Sequence, residues 1–245
     1  MFAQLKKEIS GFFSNLTGYV VIIVFLVVTS LSLWVLSFGG MNILEYGYAT
    51  LEPLFNMAPW IFLFLIPAIT MRMFAEEKKG RTLELLLTRP VSDLEIILAK
   101  YFAAMILVLA SLLPTLLWFW SVAKLGSPPS NIDAGATWGS YLGLIFLAGI
   151  YAAIGLFVSS TTDNQIISFI LTAILCFSLY TGFELFTSAA LLGRIDSLIL
   201  ELGISEHYRS MSRGVLDTRD IIYFLSVTGL FILLTKTVLE RRNWS

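Results

Sequence analysis

Residues 19–38 read YVVIIVFLVVTSLSLWVLSF, a run without a single charge that closes on Gly39-Gly40. At 1.5 Å of rise per residue, about 20 mainly apolar residues cross a hydrocarbon core of ~30 Å. The run is therefore read as a transmembrane helix. Lys6 and Lys7 ahead of it give the N-terminus the look of a signal peptide. However, the apolar stretch exceeds the roughly 7–15 residues of a signal core, and no small-residue cleavage site precedes Trp34. A retained span is expected.

Working outward, windows of the same kind fall at about 56–74, 99–122, 138–159, 165–183 and 221–239. Six spans make an all-α integral membrane protein with little outside the bilayer. Pro67 and Pro114 lie inside spans and predict kinks, tolerable in lipid where neighbouring helices satisfy the freed carbonyls. Composition agrees. The 245 residues are 57% hydrophobic and 13% charged, with mean hydropathy +0.83, against about half and about a quarter in soluble domains.

Net charge is −1, so nothing global argues for nucleic acid. A lone cysteine, Cys176, excludes an intrachain disulfide and a Cys-based metal cluster. A lone histidine, His207, leaves little scope for a metal site or a catalytic triad.

Orientation follows from the distribution of Lys and Arg. With the N-terminus inside, the inner segments hold Lys6, Lys7, Arg72, Lys78, Lys79, Arg81, Arg89, Lys100, Lys236, Arg241 and Arg242. The outer ones hold Lys124, Arg194, Arg209, Arg213 and Arg219, so eleven of the sixteen lie inside. Both termini are expected in the cytoplasm.

Before the first span, Phe2, Leu5, Ile9, Phe12, Phe13 and Leu16 recur at helical spacing with polar residues between them. Residues 2–16 are thus expected to form an amphipathic helix on the inner leaflet; a cytoplasmic extension packed on the bundle is the alternative. In the fourth span Gly139, Gly143, Gly149 and Gly155 predict close helix approach, within the subunit rather than between subunits. The outer segment 184–219 is expected to carry a short helix or a pair, with Leu192, Ile195, Leu198, Ile199 and Leu202 on one face. A re-entrant hairpin is the other possibility.

The inner loop AEEKKGRTLELLLTRPVSDLEIILAK, residues 75–100, holds the densest local signals. Gly80 stops one helix and Thr82 can cap another. Leu83, Leu86 and Leu87 give that short helix an apolar face, and Pro90 ends it. Ser92 caps the next helix with Glu95 completing a capping box, and Val91 and Ile96 sit where a hydrophobic staple puts them.

The acidic, basic and glycine stretch, then Thr-Leu-Glu-Leu-Leu-Leu, then Pro-Val-Ser, resembles the ABC-2 family of ABC transporter permeases. The end of the second span, Ile66-Pro-Ala-Ile-Thr-Met-Arg72, is similar to that family too. So is the layout of interfacial helix, six spans and long outer segment, which makes 1–245 a single ABC-2 type transmembrane domain. The run Ser210–Leu225 further resembles the gliding-motility branch, the permease (F) subunits of Bacteroidetes.

The resemblance implies a coupling helix at about 81–89, seated in a cleft of a nucleotide-binding subunit. Gly80, Thr82, Leu83, Glu84, Leu87 and Pro90 would carry that contact, flanked by Glu76 and Glu77. It also implies a separate ABC ATPase holding ATP and Mg, with no cofactor on this chain. A second permease copy, or a companion membrane subunit with a large outer domain, would complete the complex in the bacterial inner membrane among its lipids.

This chain has no G-x-x-x-x-G-K-[ST] motif, so a transport subunit and not an enzyme is expected. A channel or secondary-transporter subunit would want charges at mid-span, where this sequence has none. A membrane scaffold is the remaining alternative. Substrate-binding residues are not legible. Outer candidates are His207 and Tyr208, with Arg213 and Asp217 in a solvated turn shared with Arg219 and Asp220; Asp217 or Thr218 would cap the last helix.

Overall fold

A computed structural model of the chain describes residues 1–36, 40–81, 92–128, 130–188 and 200–242. Among them every regular element is helical, and six helices are long and apolar enough to cross a membrane. α1 spans Phe2–Ser14. The first span is α2, Leu16–Ser30, lengthened by a π turn over Leu31–Val35. α3 is Glu52–Thr70 and runs through a turn into the short α4, Ala75–Lys79.

The third span is α5, Asp93–Leu112, a 3₁₀ turn at Leu113–Thr115, and α6, Leu116–Leu125. α7 is Ala134–Thr161, α8 Gln165–Ser188, α9 Ile204–Ser212 and α10 Thr218–Arg242.

The two prolines behave differently. At Pro114 the α-helix gives way to the 3₁₀ turn, and the Thr115 hydroxyl donates to Leu112 O (2.6 Å) and meets the Tyr141 hydroxyl at 2.9 Å. At Pro67 the helix continues unbroken, and the Pro67 carbonyl accepts from Met71 N at 2.9 Å.

α7 is the axis of the bundle and is buried along most of its length. α3, α5, α8, α9 and α10 all pack on it. Its glycines do what their spacing predicted, and inside the subunit. A Cβ on Gly139 would come within 2.9 Å of the Met211 carbonyl, and one on Gly155 within 2.0 Å of Thr70 Oγ1. The peripheral helices α2, α8 and α10 instead leave Ile23, Ile174 and Leu233 more than half exposed, the arrangement lipid contact requires.

α1 packs its Leu5, Ile9, Phe12 and Phe13 side on the bundle, mainly along α5, while Phe2 stays 83% exposed. One short outer helix, α9, is present among the described residues. Ile204, Tyr208 and Met211 fall on its buried face, and the glycines of α7 let that face approach. Residues 189–199, which hold most of the expected face from Leu192 to Leu202, lie outside the described residues.

Candidate functional site at the inner end of the bundle

The chain leaves α3 and turns into α4 at the point where α7 ends, and one hydroxyl joins the three. Ser159 Oγ accepts from Phe74 N at 3.0 Å and Ala75 N at 3.1 Å, and donates to Met71 O at 3.2 Å. Those are orphan groups of two helix ends, and a hydroxyl with one proton and two lone pairs satisfies all three. Lys78 Nζ donates to Ser160 O alongside. We expect Ser159→Ala to cost about 2–4 kcal/mol by leaving two buried N–H groups unmet, read as a lower midpoint of thermal unfolding in detergent.

α4 then stops. Gly80 N bonds Glu76 O at 2.9 Å and Arg81 N bonds Lys78 O at 3.1 Å. Gly80 stands at the stop, as expected, as the C-cap of α4; its φ is an ordinary −80°, and the left-handed residue is Arg81, at φ 52°. The reversal falls one position past the glycine because Gly80 still belongs to the helix end and the following residue turns the chain. The described chain resumes at Ser92, whose hydroxyl accepts from Glu95 N at 3.4 Å as the N-cap of α5. Thr82, Leu83, Glu84, Leu87 and Pro90, and the staple residue Val91, lie outside the described residues.

Both flanks of that segment are held by a buried cation. Lys100, on α5, is 1% exposed. Its ammonium meets Glu8 Oε1 at 3.0 Å, Glu77 Oε1 at 3.0 Å and Met73 O at 2.6 Å. Three protons thus find three acceptors, and the ammonium lies 5.1 Å from the centre of the Phe74 ring. Glu8 is steadied by Gln4 Nε2 at 3.0 Å, and Lys7 approaches Glu77 at 3.7 Å. α1, α4 and α5 are joined at one point.

Of the sequence candidates, Glu77 sits in this cluster, Glu76 faces an adjoining cavity of about 330 Å³, and Gly80 ends α4. Sequence reasoning passed over Lys100, Glu8 and Ser159. The available signal was a lysine set in the apolar run Ile96–Ala104 together with a single acid on the polar side of α1.

At the other end the outer candidates separate. His207 is a tie between elements. Its Nδ1 lies 2.7 Å from Asp220 Oδ1, its Nε2 2.8 Å from Glu201 O, and its ring stacks on Tyr223 at 3.9 Å. Tyr208 is buried and donates to Phe55 O at 2.7 Å; burial pushes its phenol well above the usual value, so it stays a donor. Asp217 accepts from Arg219 N at 2.9 Å and caps α10.

Asp220 was expected in the solvated turn and is instead only 5% exposed, drawn in by His207. Arg213 is exposed and borders a polar outer cavity of about 520 Å³ with Asn56, Asp133 and Arg209. Arg209 also reaches Glu184 at 3.3 Å.

A model of the ABC-2 family transporter proteins matches residues 40–198, well over half of the chain. This chain belongs to the ABC-2 family. It is a membrane permease subunit of an ABC transporter, helical with six candidate spans among its described residues. No curated protein matches it. The family match takes in α3 through α8 with the segment between α4 and α5, while α1, α2, α9 and α10 lie beyond it. Two of the three groups that meet at the ABC-2 permease's inner cluster, Glu77 and Lys100, fall within the match; Glu8 lies outside it.

Proposed function

We propose that this permease is driven by a separate ABC ATPase that docks on the inner segment between Gly80 and Ser92, with ATP and Mg held by that partner. The observation that carries this reading is that the segment begins at an anchored point tied directly to α5, the helix it leads into. Its start is riveted to α7 through Ser159 and Ser160, and Lys100 binds its start to α1 and α5. A displacement imposed on a segment so held passes into α5 as a rigid-body movement; slack at either end would absorb it.

Glu76, Glu77 and Gly80 flank the docking contact, and Thr82, Leu83, Glu84, Leu87 and Pro90 supply it. The excess of Lys and Arg at this end supports placing it, with both termini, on the cytoplasmic side of a bacterial inner membrane.

The permease acts as a pair, with a second copy or with a companion membrane subunit carrying a large outer domain. ATP-driven closure of the ATPases then changes the exposure of a path between the two. The likeness of Ser210–Leu225 to gliding-motility permease subunits supports a place in a gliding or export complex. The test is purification from the native host in mild detergent, followed by mass spectrometry. A P-loop ATPase should accompany the wild type and drop out when Glu84→Lys and Leu87→Asp are combined. An intact complex without an ATPase would refute the reading in favour of a scaffold or channel.

A further inference from the structure

The cavity of about 330 Å³ at the inner end lies between α1, the first turn of α2 and the α3–α4 corner, beside the Lys100 cluster. Its charges are not equally engaged. Lys100 is held by Glu8 and Glu77, and Lys7 leans on Glu77. Arg72 has no carboxylate within ion-pair distance among the described residues. Its Nε is buried without a partner, and Nη1 reaches only the Thr17 hydroxyl, at 3.4 Å. Glu76, also in the wall, makes no ion pair among the described residues and is exposed. The cavity therefore offers one guanidinium and one carboxylate, both available.

The surroundings favour an anion at Arg72. α2 starts there, and Asn15 does not cap it, because its amide turns back to Gly11 O at 3.0 Å. The first N–H groups of this 15-residue helix thus have no side-chain cap, and Asn15 and Thr17 beside them line the cavity; such groups attract phosphate oxygens. From the same point an apolar strip runs along α2 through Leu16, Val20, Ile23 and Val27, each 45–77% exposed. A cavity with a free guanidinium and a free carboxylate in its wall, next to the exposed apolar start of a membrane helix, has the chemistry of a lipid headgroup site.

We propose that this cavity binds the headgroup of an amino-phospholipid of the inner leaflet. The phosphate sits on Arg72, Thr17 and the start of α2, the primary ammonium on Glu76, and an acyl chain lies along α2. This rests on placing this end at the cytoplasmic surface and is independent of whether an ATPase docks nearby.

Native mass spectrometry of the delipidated permease, titrated with phosphatidylethanolamine, phosphatidylglycerol and phosphatidylcholine, tests it. Wild type should prefer phosphatidylethanolamine by about tenfold, since the quaternary ammonium of phosphatidylcholine donates no hydrogen bond and phosphatidylglycerol lacks the cation. Arg72→Gln should weaken all three by about tenfold, and Glu76→Gln should erase the preference while leaving the phosphate contact. If Arg72→Gln does not fold, Arg72→Lys, which keeps charge without the fork, should give an intermediate loss.

Identical lipid adducts in wild type and the Arg72 and Glu76 variants would overturn the site. Soluble phosphoethanolamine binding as tightly as the lipid would make the occupant a free headgroup. Loss of a co-purifying ATPase from Arg72→Gln with unchanged lipid adducts would reassign the cavity to protein docking.

Discussion

Lys100→Met should lower the thermal unfolding midpoint in detergent by on the order of 10 °C, the largest effect expected of any charge in the chain. The side chain is 1% exposed and its ammonium satisfies two carboxylates and a carbonyl at once. Methionine fills the volume and leaves Glu8 with no countercharge, and Glu77 with the weaker approach of Lys7 at 3.7 Å, in a half-dry site. Breaking a buried pair from one side costs about 3–5 kcal/mol, mostly through the charge left behind. A second step identifies the cause. Adding Glu8→Gln and Glu77→Gln to Lys100→Met should recover much of the loss, because the stranded charges disappear with the cation. Limited proteolysis should follow the same order, with α1 released in the single variant and retained in the triple one. If Lys100→Met melts with the wild type, the cluster does not hold α1, α4 and α5 together.

Under the proposed docking, that cluster would matter to transport because of where it lies. α1, α4 and α5 are tied at one point, so a push on the segment proposed to dock an ATPase would move three elements as one body. The cation also answers why a chain with uncharged span centres keeps a lysine so deep. Its position is near the start of the third span, where the charge joins α1, α4 and α5.

Much of this architecture was legible because lipid imposes long apolar runs, and six of them stand out between charged or glycine-rich breaks. Span ends were less legible. α2 starts at Leu16 and α3 at Glu52, three and four residues before their apolar windows, because Thr17, Gly18, Glu52 and Pro53 break the apolar run while remaining compatible with a first helical turn. Local caps were readable at Ser92 and Asp217, where the chemistry is confined to neighbours in sequence. Glu8 with Lys100 and His207 with Asp220 were not. Each pair joins separate helices, and no spacing rule links residues 92 or 13 apart across a bundle. Asp220 looked solvated for that reason, since its partner arrives from another element.

Gly155→Leu should be the most damaging single change in the hydrophobic core, and its reason is geometric. At this position α7 meets α3 so closely that an ideal Cβ would lie 2.0 Å from Thr70 Oγ1 and 2.7 Å from Thr70 Cβ. Thr70 cannot swing aside cheaply. It is fully buried, its χ1 is stiff, and its hydroxyl already donates to Ile66 O at 3.0 Å. Overpacking costs about 1–3 kcal/mol even where neighbours give way; here two helices must separate, and the displacement would reach Ser159 one turn further along α7. We expect Gly155→Leu to abolish recovery of monodisperse protein and Gly155→Ala to lower the unfolding midpoint clearly. Thr70→Ala removes Oγ1 but leaves the Cβ contact, so it should rescue Gly155→Ala only in part, and Thr70→Gly should rescue it further. Gly229 is the control, with nothing within 4 Å of its added Cβ. On a helix interior Gly229→Ala should be neutral or stabilising by up to about 1 kcal/mol. Equal tolerance of alanine at 155 and 229, measured by fluorescence-detected size exclusion and thermal unfolding, would mean that the α3–α7 contact is not set by that glycine.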